Sequence, residues 1–246
     1  MHAPRVIDLG CSRYADAYAE QTRHLEEVIA ARDVATQPGR ILLVEHNPVI
    51  TISRRAGAAA HLLATPELLA RAGVELAETD RGGDITYHGP GQLVVYPILD
   101  LNALNLGLHD YMRLLEDAVI SACARFGVPT RRDPAATGVW TDRNGAPHAK
   151  IAAMGVRVRR WVSMHGLALN VATNLEHFNL IVPCGLHGRP VTSLQRELGD
   201  RCPTMDQVRR MLVEELLAAI DDAASRAASK RAAAPPASAE PDQVAG

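Results

Sequence analysis

The chain has 246 residues, 47% of them hydrophobic and 22% charged, with a formal net charge of −2. That is the composition of an ordinary globular protein, long enough for one large domain or two small ones. There is no basic excess of the kind a general nucleic-acid binder carries, and two Phe, two Trp and five Tyr are too few for a base-stacking platform.

The N-terminal run from Met1 to Asp8 has no apolar core of a secretory signal, and no apolar stretch approaches the roughly 18 residues of a membrane span. Tyr14, Tyr18, Leu25, Val28 and Ile29 recur near helical spacing, which predicts a helix over about 13–33, ended by Gln37-Pro38-Gly39. Ile41–Val44 and Val49–Ile52 are β-rich runs broken by a turn at Asn47-Pro48. Thr65, Pro66 and Gly73 mark the cap, first residue and stop of a short helix over 66–72. A glycine-rich loop over 81–92 leads into a strand over 93–99, and a helix over about 109–126 carries Tyr111, Leu114, Leu115, Ala118, Val119, Ala122 and Phe126 on its inner face. Gly138-Val139-Trp140 and 150–158 read as strands joined across Asn144-Gly145, a dipeptide suited to a tight hairpin, with a further strand over 161–171. Thr192–Gln195 and Thr204–Gln207 fit capping boxes that open a short helix and a longer final one.

From about Ala223 the composition turns to Ala, Ser, Pro and charge, so a disordered tail over 223–246 is expected after a single domain over 1–222. Helices and mostly hairpin-linked strands mix without regular βαβ alternation, which predicts an α+β fold. Cys11, Cys123, Cys184 and Cys202 form no CxxC pair and no metal-ligand spacing, as expected of free thiols in a cytoplasmic protein.

The stretch Arg81-Gly82-Gly83-Asp84-Ile85-Thr86-Tyr87-His88-Gly89-Pro90-Gly91-Gln92 packs four glycines, an arginine and a histidine ahead of a buried strand. It suits either a tight turn or a loop that brings bare N–H groups, charge and an imidazole to a ligand. Cys184 stands between Pro183 and Gly185, which suits an exposed nucleophile; a buried structural thiol is the alternative. A cation or imidazole would be needed to hold its thiolate. His187 and Lys150 are the candidates, although His187 also suits a solvent-facing loop and Lys150 an edge strand.

With these pieces together, residues 5–220 resemble the octanoyltransferases of protein lipoylation, the lipoate–protein ligase B type. The resemblance is carried by Arg81–Gln92, by Lys150–Arg157, by His165-Gly166-Leu167-Ala168-Leu169-Asn170 and by Val182-Pro183-Cys184-Gly185-Leu186, all in family order. It implies the α+β fold of biotin and lipoate ligases, with a larger mixed sheet, a smaller sheet and packed helices. It further implies transfer of an octanoyl group from octanoyl acyl carrier protein to the lysine of lipoyl domains, those of 2-oxoacid dehydrogenases and the glycine cleavage H protein, without ATP, metal or other cofactor. By the same resemblance Cys184 carries the acyl thioester and Lys150 is its partner. Arg81, Gly82, Gly83, Asp84, Ile85, Thr86, Tyr87 and His88, with Ala153, Met154, Gly155, Gly166, Leu167 and Ala168, line the acyl site, and His46 falls where the family has a pocket histidine. Where the family usually carries Thr-x-Gly after its first hairpin, this chain has Thr51-Ile52-Ser53, which puts the local loop shape and chain-length preference in question.

A thioester donor is already activated, so the chemistry needs a thiolate to take the acyl group, an amine to manage protons, and N–H groups near Gly155, Gly166 or Cys184 to meet the oxyanion. Two other readings stand beside this one. An ATP-dependent lipoate or biotin ligase of the same fold has no need of Cys184, and a non-catalytic acyl- or lipoyl-domain-binding module would keep the pocket without turnover. A papain-type hydrolase fits less well, since no Cys-His-Asn order follows Cys184.

Overall fold

The computed structural model describes residues 3–32, 39–182 and 189–233. Two mixed sheets organise it, as the α+β expectation requires. The larger has seven strands in the order β1-β2-β6-β10-β9-β8-β7, and the smaller three in the order β4-β3-β5. The strands of the large sheet are β1 (Arg5–Ser12), β2 (Gly39–His46), β6 (Gln92–Leu99), β7 (Thr130–Asp133), β8 (Ala136–Arg143), β9 (Ala146–Arg159) and β10 (Val162–Asn170). The small sheet comprises β3 (Val49–Ser53), β4 (Glu75–Thr79) and β5 (Ile85–His88). In the large sheet only β1 and β2 run parallel, and in the small one β3 and β4 do.

Both faces of the large sheet are covered, which is why β6 and β10 are buried at every position rather than at alternate ones. Leu93, Val95 and Leu99 of β6 face a core shared with helices α3 (Leu108–Arg125) and α5 (Met205–Ala233), while Val94, Tyr96 and Ile98 face helix α1 (Tyr14–Ala30). Each such side chain contributes on the order of 1.5–3 kcal/mol by leaving water. The small sheet has its own core, in which Ile50, Ile85 and Tyr87 meet Leu69 of helix α2 (Pro66–Ala72) and Phe178, Leu180 and Ile181. No described helix is long and apolar enough to cross a membrane.

Several expectations hold. Thr65 Oγ1 accepts the Leu68 N–H at 3.3 Å and Gly73 closes α2 at φ +64. Asn144 and Gly145, at φ +54 and +77, make the tight hairpin between β8 and β9. Thr204 and Gln207 form the expected reciprocal box, with Thr204 N donating to Gln207 Oε1 at 2.8 Å and Gln207 N to Thr204 Oγ1 at 3.3 Å.

Others change. β2 and β3 are not hairpin partners: the chain leaves the large sheet at Asn47-Pro48 and enters the small one. β1, β4 and β7 were not foreseen, because each is a short or exposed strand at a sheet edge with little apolar alternation. The short helix α4 (Leu194–Leu198) is capped by Ser193, whose Oγ accepts Arg196 N at 3.2 Å, while Thr192 Oγ1 donates to Glu197. The boundary at residue 222 is also corrected. α5 continues to Ala233 and packs on α3, with Ala223 and Ala224 in the main core and Ala227 also buried. Expected disorder therefore does not apply to 223–233, and 234–246 lie outside the described residues.

Candidate active site

The glycine-rich stretch is two short connections around β5. The first, Arg81–Asp84, is a wall pinned between the sheets. Gly82 N donates to Val156 O of β9 at 2.9 Å, and Gly155 is bare beneath it because a Cβ there would lie 2.6 Å from Gly82 O. On the small-sheet side Arg81 Nη2 donates to Thr51 O and Oγ1 at 3.1 and 2.9 Å, so its guanidinium ties the wall to β3. Gly166 is required for a similar reason, since a Cβ would lie 2.3 Å from Val95 O. Close packing of main chain thus requires glycine at both positions.

Behind the wall lies a cleft with an empty volume of about 500 Å³, mouth included. Arg81, Gly83, Asp84, Ile85, Thr86 and His88 form one side, Val94, Tyr96, Ala153, Met154 and Gly155 another, and Tyr14, His165, Gly166, Leu167 and Ala168 complete it. Strand alternation explains Thr86 and His88 facing the cleft while Tyr87 turns into the small-sheet core, its ring against Phe178 and its hydroxyl 2.8 Å from His177 Nδ1.

The polar groups at the back of this cleft are uncharged and committed to partners. His46 Nδ1–H donates to Ser12 O at 3.2 Å, which leaves Nε2 to accept the Tyr96 hydroxyl at 2.7 Å. Gln92 Nε2 is taken by Asn170 Oδ1 (2.9 Å) and Tyr87 O (3.3 Å), so Gln92 Oε1 accepts from His88 Nδ1–H at 2.7 Å. Burial pushes His46 down to about 4 and His88 to about 3, the neighbouring His46 adding to the latter. Burial raises Tyr14 and carries Tyr96 well above the ordinary phenol range. His165, held at φ +56 by Gln21 Oε1 accepting its N–H at 2.9 Å, donates Nε2–H to Asp80 Oδ1 at 2.8 Å. Burial lowers His165 despite that carboxylate. Burial opposes ionisation of Asp80, but hydrogen bonds from His165 and Tyr18 outweigh it and hold the carboxyl below its usual value.

Lys150 is 8% exposed and lies in a second cleft that shares Gly83, Asp84, Met154 and Gly155 with the first. Its Nζ donates to Thr137 O at 3.0 Å and sits 4.8 Å from the Trp140 ring centroid, while the Arg189 guanidinium carbon lies 3.9 Å from the same centroid and pairs with Asp133. The main chain of Lys150 is bonded on both sides to the segment after Gly188: its N–H donates to Pro190 O and its carbonyl accepts Thr192 N, each at 2.9 Å. At the other flank Val182 N donates to His61 O at 2.8 Å, and His61 Nδ1 lies 2.8 Å from Asp84 Oδ2.

Of the residues expected from the sequence, Cys184 and His187 lie outside the described residues. Lys150 stands in the second cleft, which Gly82 also lines. Twelve of the fifteen expected acyl-site residues line the first cleft, the exceptions being Gly82, Tyr87 and His46, which acts behind Tyr96. Tyr14, Val94, Tyr96 and His165 were not singled out for the cleft, nor Asp80 against His165, nor Trp140 against Lys150. The four cleft residues come from strands and a helix read as core, and only the pairing of β6 with β10 and the placing of α1 bring them to one face. Cys123 is buried with its thiol pushed up to about 12, consistent with a structural thiol. No three His, Cys, Asp or Glu side chains converge as a metal site among the described residues.

Residues 17–217 match the family model of the lipoyl protein ligase A/B catalytic domain. An octanoyltransferase of Koribacter versatilis is 47% identical over 206 residues, covering 83% of this chain and 79% of that protein. One of Bacteroides fragilis is 47% identical over 208 residues, covering 84% and 93%. In architecture the chain is similar to a bipartite lipoate protein ligase of Thermoplasma acidophilum, with a TM-score of 0.67 at 16% identity over 94% of this chain and 92% of the other, a likeness of fold.

Proposed function

This chain belongs to the lipoyl protein ligase A/B catalytic-domain family, among its octanoyltransferases, and from that premise we propose that it moves an octanoyl group from octanoyl acyl carrier protein to a lipoyl-domain lysine through a thioester on Cys184, with Lys150 as partner. The observation that carries the assignment of residues is the anchoring of the segment around Cys184. Val182 is tied to His61, whose imidazole meets the Asp84 wall, and Pro190 is tied to Lys150. Cys184 is two residues from Val182, a reach of about 7 Å at full stretch. These ties, made by the described residues on either side of Cys184, support its pairing with Lys150.

In the first half-reaction the Cys184 thiolate, stabilised by the Lys150 ammonium, attacks the donor thioester. The acyl–enzyme forms, and the carrier thiolate leaves with a proton from Lys150. The chain lies in the first cleft, where each buried methylene contributes about 0.8 kcal/mol. In the second half the acceptor amine attacks the same carbonyl, Lys150 takes its proton, and the Cys184 thiolate is released as the amide forms. Uncharged His46, His88 and Tyr96 suit the back of this cleft, where a charge beside the alkyl chain would draw in water, while the Arg81 guanidinium on its wall is bonded to Thr51. Acceptors would be the lipoyl domains of 2-oxoacid dehydrogenases and the glycine cleavage H protein. Reducing cytoplasm is the proposed compartment, in keeping with Cys11, Cys123 and Cys202 as free thiols. The catalytic unit is taken to run through α5.

Intact mass spectrometry after mixing with octanoyl carrier protein tests this reading. The wild type should gain an octanoyl adduct that Cys184→Ala lacks. An adduct that persists in Cys184→Ala, or transfer that requires free octanoate and ATP, would overturn it.

A further inference from the structure

Ser53 ends β3. It is 7% exposed and its backbone is not in the positive-φ region, so left-handed geometry is not what the position demands. Its side chain is instead a clasp. Oγ donates to Gly83 O at 2.9 Å and accepts Arg55 N at 3.2 Å, while the Ser53 N–H donates to Asp84 O at 3.3 Å. A glycine would keep only the last of these three bonds. Gly83 and Asp84 line both the acyl cleft and the Lys150 cleft, so the atom that Ser53 holds belongs to the partition between them. The opposite side of that partition is held by main chain, through Gly82 N to Val156 O and the close approach over Gly155. On the β3 side one main-chain bond, Ser53 N to Asp84 O, is joined by side-chain bonds, Arg81 to Thr51 and Ser53 to Gly83.

We propose that Ser53 is a positioning residue that fixes the wall at Gly83 and thereby the acyl chain length this enzyme prefers. The inference rests on the octanoyl-transfer reading above. An acyl group bound with its carbonyl near Lys150 and its tail in the first cleft must pass this wall, so the position of the wall would set how deep the tail reaches into that cleft. Losing one neutral hydrogen bond changes a ratio by about two- to ten-fold.

The test compares wild type with Ser53→Ala, Ser53→Gly and Ser53→Thr, using carrier-bound six-, eight-, ten- and twelve-carbon acyl donors, with kcat and KM measured separately and melting temperature followed alongside. Ser53→Ala and Ser53→Gly should lower the kcat/KM ratio of eight over ten carbons by about two- to ten-fold, mainly through KM, and Ser53→Thr should restore the wild-type ratio. A ratio unchanged in all variants overturns the proposal, as does an equal loss in Ser53→Thr, which would make bulk rather than the hydroxyl responsible. If Ser53→Gly does not fold, Ser53→Ala and Ser53→Cys, which keep the Cβ, decide it. A wild type that accepts no acyl donor overturns the functional reading beneath; an active wild type with an indifferent ratio overturns only the role of Ser53.

Discussion

Burial keeps His46 and His88 without a proton in the folded chain, and that has a thermodynamic consequence. The unfolded chain takes a proton on each near pH 6.5, whereas the folded one resists to about 4 and about 3. Below pH 6.5 the unfolded state therefore binds more protons, so stability is full above that value and falls on acidification through the window down to about 4. The loss is about 1.4 kcal/mol per pH unit for each histidine. Urea denaturation at several pH values should show it, and His46→Gln should flatten the slope. At Lys150 the expected effect is on rate: Lys150→Ala should slow both acylation and transfer by ~10²–10⁴-fold in single-turnover assays. Undiminished rates would remove Lys150 from the mechanism.

Between elements, the decisive contacts are those of the wall with β9. Gly155→Ala puts a Cβ 2.6 Å from Gly82 O, a backbone atom that cannot rotate aside. The wall must shift, and acyl–enzyme formation should fall by more than about ten-fold, since misplacement of the reacting groups by about an ångström is costly; an unaltered rate would show that the wall does not shape the site. The capping box of α5 is a separate matter of stability. Thr204→Ala removes the acceptor for Gln207 N and should cost about 1 kcal/mol in chemical denaturation, with activity retained.

For the whole molecule, the large sheet depends on α3 and α5 covering one face and α1 the other. The final turns of α5 are alanine-rich, yet Ala223 and Ala224 belong to the core and Ala227 is buried. A chain ending at residue 222 should melt at a lower temperature than one ending at 233, because it uncovers apolar surface of α3. Equal melting temperatures would show that this packing contributes nothing.

Local chemistry was enough, read from the sequence alone, to locate most of the helices and strands, the capped ends of α2 and α5, the Asn144-Gly145 hairpin and the four ordered motifs that mark the family. These features are legible because caps, turns and periodicity act over a few residues. Edge strands β1, β4 and β7 were not, since they carry little apolar pattern, and α5 beyond residue 222 was not, because alanine signals helix contact and solvated tail alike. The tertiary structure alone decided that β2 and β3 part into different sheets, and that Tyr14, Tyr96 and His165 meet His46 and His88 around one cleft. It also placed Lys150 across a shared wall from that cleft. Such juxtapositions join residues tens of positions apart through strand order and layer packing, and no short-range pattern in a chain encodes either.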